Sequence, residues 1–145
     1  MLVDRNILSK LGVGEGNMKT YFISGHLDLT REEFDEHYET RIREAVLERA
    51  FFVVGDAKGA DSMAHSLLYQ LLNNQSSNYV RVFHMFEYPR NNFQHSVVGG
   101  FESDEERDAA MTDSSDEDIA WVRPGKEKSG TAKNLKRRNN GKNNK

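Results

Sequence analysis

Four short apolar, β-rich runs, separated by stretches of helical periodicity, constrain this chain more than any other feature. Tyr21-Phe22-Ile23-Ser24 stops at Gly25 and Phe51-Phe52-Val53-Val54 stops at Gly55. A third run covers 80–86, and Asp118-Ile119-Ala120-Trp121-Val122 is the fourth. Runs that are apolar at consecutive positions suit strands covered on both faces. After the first, Thr30-Arg31-Glu32-Glu33 fits a capping box, in which Thr30 accepts from the third helical N–H and Glu33 reaches back. Phe34, Tyr38, Ile42, Ala45 and Val46 then recur at helical spacing and predict an amphipathic helix over 31–49. Met63, Ala64, Leu67, Leu68, Leu71 and Leu72 mark a second helix that closes in the turn-rich 73–78. Pro89 and the Asn/Gly-rich stretch up to Gly100 read as a long loop. Ser103 can cap a short acidic helix through Met111, and Ser129-Gly130-Thr131 opens a basic last helix.

Strands alternating with helices are βαβ units joined by right-handed crossovers. The expected fold class is α/β: a small Rossmann-like three-layer α/β/α sandwich with a mainly parallel sheet of about four or five strands. At 145 residues the chain holds one such domain, expected over 19–138. Residues 1–18, with the glycine-rich joint GVGEG, read as a flexible extension, and 139–145 as a disordered basic tail. No apolar run approaches the ~20 residues of a membrane span. The N-terminus lacks the basic-then-apolar plan of a secretory signal, so the expected address is cytoplasmic. With no cysteine, disulfides, zinc–thiolate centres, iron–sulfur clusters and cysteine nucleophiles are excluded. The histidines show no metal spacing, and Glu102, Asp104, Glu105 and Glu106 lack the alternate-position pattern of a calcium loop. No cofactor is implied.

The net charge of −3 is unevenly spread. Residues 102–118 hold nine acids against Arg107, whereas 133–145 hold six bases and no acid. Removing those six bases leaves −9 on residues 1–132. A basic end can hold nucleic acid through phosphates, but the acidic remainder offers no broad basic face.

In an open α/β sheet, ligands bind beyond the carboxyl ends of the strands. The segments to read are therefore Ser24-Gly25-His26, then Gly55-Asp56-Ala57-Lys58-Gly59-Ala60-Asp61, then 124–131. Two of these contain several small residues and run into a helix N-terminus, where free N–H groups suit a phosphate or carboxylate. The same glycines would also serve tight βα turns with no ligand at all. The amides around Ser129, Gly130 and Thr131, with the Thr131 hydroxyl, can cradle a phosphate; Lys58 either reaches that anion or is solvated. Ser24, Gly25 and His26 would line the cleft floor. His26 can serve as an acid or base near neutrality, or simply hydrogen-bond. Asp61 either caps the second helix or faces the ligand; there it would accept from a ribose hydroxyl or stabilise an oxocarbenium-like centre.

The segment 53–64, VVGDAKGADSMA, resembles the strand-then-G-x-A-x-G-A-D-x-x-A signature of the SLOG superfamily, and more closely its small YspA-type members. The related branches are the DNA-processing protein A fold and the LOG phosphoribohydrolases. The Gly25 turn, Arg107-Asp108-Ala109-Ala110-Met111, and Asp118-Ile119-Ala120-Trp121 followed by Ser129-Gly130-Thr131-Ala132 match in order across roughly 20–138. The resemblance implies a nucleotide- or nucleoside-derived ligand in the cleft, Arg107 pointing towards a phosphate, and a homo-oligomer such as a dimer. The PGGxGT element of the LOG enzymes is here PGKEKSGT, and their catalytic Arg/Glu pattern is missing. Three functions follow for testing: a ligand-binding module using Ser24, Gly25, His26, Gly55, Asp56, Ala57, Lys58, Gly59, Asp61, Arg107, Ser129, Gly130 and Thr131; an N-glycoside hydrolase using Asp61 and His26; and a nucleic-acid binder using the basic C-terminus. The first accounts for most of these features.

Overall fold

Side chains alternate across a strand, and here both faces of the sheet are apolar. In the computed structural model, which describes residues 18–84 and 95–143, the strands are β1 Thr20–Ile23, β2 Phe51–Gly55, β3 Val80–Phe83, β4 Ser96–Val98 and β5 Glu117–Ile119. Tyr21, Ile23, Phe52, Val54, Val80 and Val82 face one way and build the main core with helix α1 (31–47) and helix α2 (Ala60–Leu72). Phe22, Val53 and Phe83 face the other way and pack on Met111 of helix α4 (Asp104–Asp113). Helix α3 (Ser76–Tyr79) is a single turn before β3, and α5 (Gly130–Asn143) ends the described chain. Fully burying one large apolar side chain contributes about 1.5–3 kcal/mol, so Phe22, Phe34, Phe52, Ile42 and Leu68, each at most 1% exposed, anchor the layers.

All five strands are parallel, in the order β4-β3-β2-β1-β5. The chain builds outward from β1 to β4, then returns to place β5 on β1's other side. That reversal of direction leaves a crevice at the carboxyl ends of β1 and β5. This is a small Rossmann-like α/β fold. Among the described residues no helix is long and apolar enough to cross a membrane.

Helix α1 begins with the expected capping box: Glu33 N–H donates to Thr30 Oγ1 at 3.1 Å and Thr30 N–H donates to Glu33 Oε1 at 3.0 Å. Its middle, Asp35–Glu39, is a π turn, and the helix stops at Leu47, two residues short of the expected 49. The stop is local: Arg49 takes the left-handed φ of 61°. Within the π turn, Tyr38 stacks on Phe34 and sends its hydroxyl to the crevice, where it donates to Ser24 O at 2.8 Å and accepts from Trp121 N–H at 3.0 Å. The same hydroxyl explains why β5 stops at Ile119 and does not run on to the expected Val122. Ser24 N–H still donates to Ile119 O, but Trp121 N–H is already spent on Tyr38.

The long loop expected before Gly100 contains β4, which lies parallel to β3 with Phe83 opposite Val98. The third strand is described as far as Phe83; positions 85–86 of the expected run lie outside the described residues, as do 1–17 and 144–145. Met18, assigned by composition to the extension, is buried. Helix α5 carries residues 139–143, which composition reads as tail. Arg138 fastens this helix, donating to both Asp118 carboxylate oxygens at 3.0 and 3.2 Å, to Ser115 O at 2.7 Å and to Thr112 O at 3.2 Å. That base is committed to the fold.

Candidate functional site

The crevice widens into a cavity of about 750 Å³, lined from β1, β2, α2, α4 and the segment leading into α5. This volume suits an organic ligand of ordinary size. Of the residues picked from sequence, Ser24, Gly25, His26, Gly55, Ala57, Asp61, Arg107, Ser129, Gly130 and Thr131 line it together. Asp56 lies buried behind the wall with Oδ1 3.5 Å from Arg107 Nη1. Lys58 and Gly59 do not line it; Lys58 is exposed.

The glycines have structural reasons. A Cβ on Gly25 would lie 2.4 Å from Ala60 Cβ and 2.5 Å from the Tyr38 hydroxyl. Gly59 has φ of 75°, and a Cβ there would lie 2.4 Å from the carbonyl oxygens of both His26 and Leu27. The first two βα loops therefore press together, joined by Ala60 N–H donating to His26 O at 3.1 Å. At Gly55 a Cβ would lie 2.7 Å from Asp61 Oδ2 and 3.7 Å from Arg107 Cζ, so this glycine makes room for those two side chains.

Asp61 does not cap α2. The helix follows Gly59 without a side-chain cap, and Asp61, in its first turn, turns back to accept from Ala57 N–H at 3.2 Å. Burial dominates its chemistry and pushes the carboxyl up to about 7, against the pull of the Ala57 amide and Arg107. Arg107, 7% exposed, donates from Nε and Nη2 to Asp108 Oδ1 at 3.3 and 3.2 Å, and its Nη2 pairs with Asp104 at 3.2 Å. Among the described residues, its Nη1 is buried without a hydrogen-bond acceptor, as is the Ser24 hydroxyl. Burial likewise raises the Asp108 carboxyl above its ordinary value.

His26 is tied down: its Nε2 accepts from Arg123 N–H at 2.9 Å, which fixes that nitrogen as the unprotonated one. Burial, then the Arg123 charge, lowers its pKa. The Arg123 guanidinium reaches Glu33 at 2.7 and 2.8 Å and Asp28 at 3.1 Å, holding the segment after β5 against the β1–α1 loop. The Arg123 hydrogen bond is the first cause holding the Glu33 carboxyl at about 2. From this strap the chain turns through Gly125, at φ 89°, into α5. Ser129 Oγ caps α5 by accepting from Ala132 N–H at 3.2 Å. Among the described residues, nothing accepts from the amides of Gly130 and Thr131, and both residues line the cavity beside Lys126 and Lys128.

The cavity thus has two poles: free helix amides with lysines at the α5 end, and an acid-rich floor around Arg107. Sequence reasoning missed Asp104, Asp108, Met111, Lys126, Lys128 and Asn134, which also line it. Positions 104, 107, 108 and 111 lie at helical spacing on one face of α4, a signal that could have recruited the first three together with Arg107. No protein-family model, curated protein or solved structure matches this chain.

Proposed function

We propose that this domain binds a nucleotide- or nucleoside-derived small molecule in the cleft, with its phosphate on the Ser129-Gly130-Thr131 turn. The observation that carries the reading is the pair of unspent Gly130 and Thr131 amides opening from the N-terminus of α5 into a cavity of about 750 Å³. A helix N-terminus presents roughly half a positive charge and aimed donors to an anion. Lys126 and Lys128 add to that potential. The resemblance of residues 53–64 to SLOG domains supports a nucleotide-type ligand independently of this geometry.

A second reading, hydrolysis of an N-glycosidic bond, is favoured by one observation: Asp61 lines the same cavity with its pKa raised to about 7. A carboxyl poised there can protonate a leaving group or stabilise a sugar cation. One experiment separates the readings. The protein is screened by thermal shift against nucleosides, mono- and dinucleotides, cyclic nucleotides and ADP-ribose derivatives, and each hit is then chromatographed for released base. A ligand at ~100 times its Kd stabilises by about 2.7 kcal/mol. Stabilisation with intact ligand supports binding alone, and free base supports hydrolysis. No shift with any compound rejects both.

A further inference from the structure

We propose that the floor of the cleft, formed by Ser24, Asp61 and Arg107, is a hydroxyl-reading subsite for the sugar of the ligand, not a second phosphate site. The inference rests on the phosphate lying at α5, as proposed above. Among the described residues, two buried donors on residues that line this floor have no hydrogen-bond partner: the Ser24 hydroxyl, on a residue 6% exposed, and Arg107 Nη1, on one 7% exposed, whose ion pair with Asp56 Oδ1 is a long 3.5 Å. Elsewhere Ser24 is fully used, its N–H by Ile119 O and its carbonyl by Tyr38. Only the hydroxyl is left over. Buried polar atoms without partners are uncommon, and each calls for a cause; a ligand group that folding alone does not supply is such a cause.

Charge decides what that group is. Arg107 has Asp56 at 3.5 Å and Asp104 and Asp108 at 3.2 Å, and Asp61 meets it across the space that a Gly55 side chain would fill. Its positive charge is already matched several times over, so a phosphate placed here would meet net repulsion. An ammonium fails for the opposite reason, since Nη1 can only donate. A neutral hydroxyl satisfies both demands. It accepts from Arg107 Nη1 or the Ser24 hydroxyl and donates to the Asp61 carboxyl, of which, among the described residues, Oδ2 alone is occupied, by Ala57 N–H. Neighbouring hydroxyls of a furanose would use the three groups together.

The test uses the whole protein with three probes that carry no base: ribose 5-phosphate, 2-deoxyribose 5-phosphate and inorganic phosphate, titrated by calorimetry. Ribose 5-phosphate is expected to bind roughly tenfold tighter than its deoxy analogue, the scale of one hydrogen bond to a charged group. Ser24→Ala is expected to collapse that ratio while raising the melting temperature of the free protein, because it deletes a buried hydroxyl without a partner. A merely structural serine would not give opposite signs. Asp61→Ala, measured in parallel, is expected to collapse the ratio as well. Equal binding of all three probes overturns the hydroxyl subsite and leaves the phosphate reading standing. Binding of none overturns both.

Discussion

Replacing Gly130 by Asp places one negative charge where the proposed phosphate sits and disturbs little else. A Cβ at Gly130 meets nothing within 4 Å, and the residue does not use a left-handed backbone. An acid in the first helical turn also favours α5, by ~0.3–1 kcal/mol. The free protein is therefore expected to keep or slightly raise its melting temperature. The bound anion fares differently. Two unit charges 4 Å apart repel by about 1 kcal/mol in water and about 4 kcal/mol at the effective dielectric of a protein surface. At ~1.4 kcal/mol per decade, affinity is expected to fall by roughly 5- to 1,000-fold. The assay is thermal shift with any phosphorylated hit held at ~100 times its wild-type Kd, where stabilisation is about 2.7 kcal/mol. A hundredfold loss leaves about 0.4 kcal/mol, close to no shift. A mutant that folds normally and is stabilised as fully as the wild type would refute the reasoning and remove α5 from the site.

Two further outcomes follow from the perturbed groups. Asp61 binds its proton more tightly when folded, with a pKa of about 7 against an ordinary 3.8, so the wild type is stabilised at low pH and loses that stability as pH rises from about 4 through 7. Asp61→Asn is expected to melt higher than wild type at pH 8, by a difference worth a few kcal/mol at ~1.4 kcal/mol per pKa unit; the gap should close by pH 4, and a constant gap would contradict the assignment. His26 has the opposite sign: its folded pKa is lowered, so its contribution is present above the unfolded value of ~6.5 and is lost as pH falls below it. Protonation turns Nε2 into a donor facing Arg123 N–H and loosens the strap that holds Trp121, the single tryptophan. His26→Gln should remove the acid-side change in Trp121 fluorescence, and a change that persists would overturn the assignment to His26.

The elements legible in the sequence were those whose signal is their own. β1 and β2 announce themselves because both faces are buried, and α1 because Thr30 and Glu33 write its start in four letters. The illegible ones are set by partners far along the chain. β4 is three residues, Ser96–Val98, too short for any period, and it exists because β3 offers an edge. β5 ends early because a tyrosine 83 positions away takes the Trp121 amide. Likewise the π turn that aims Tyr38 is invisible in a helical pattern that otherwise runs on regularly. Helix α5 extends to Asn143 through a stretch whose composition reads as tail. Arg138, held by Asp118 and Ser115, explains how its middle is fastened.

The candidate site was legible for a different reason from the one the glycines suggest. Small residues after β1 and β2 point to a ligand only if they keep side chains away from it. Gly25 instead admits Tyr38 and Ala60, and Gly59 admits the carbonyls of His26 and Leu27. Both would be needed with an empty cleft, because they let two loops pack. Nor is His26 left over, since Arg123 N–H occupies its Nε2. Among the described residues that line the cleft, the groups folding leaves without a hydrogen-bond acceptor include the Ser24 hydroxyl, Arg107 Nη1 with only a 3.5 Å ion pair to Asp56, and the Gly130 and Thr131 amides. All belong to residues lining one cavity, and no periodicity or motif spacing distinguishes a spent polar group from an unspent one. That distinction appears only when every donor has been matched to its acceptor in three dimensions. It also moves the weight of the functional argument from the glycine-rich loops to four polar groups, each of which a single substitution can silence.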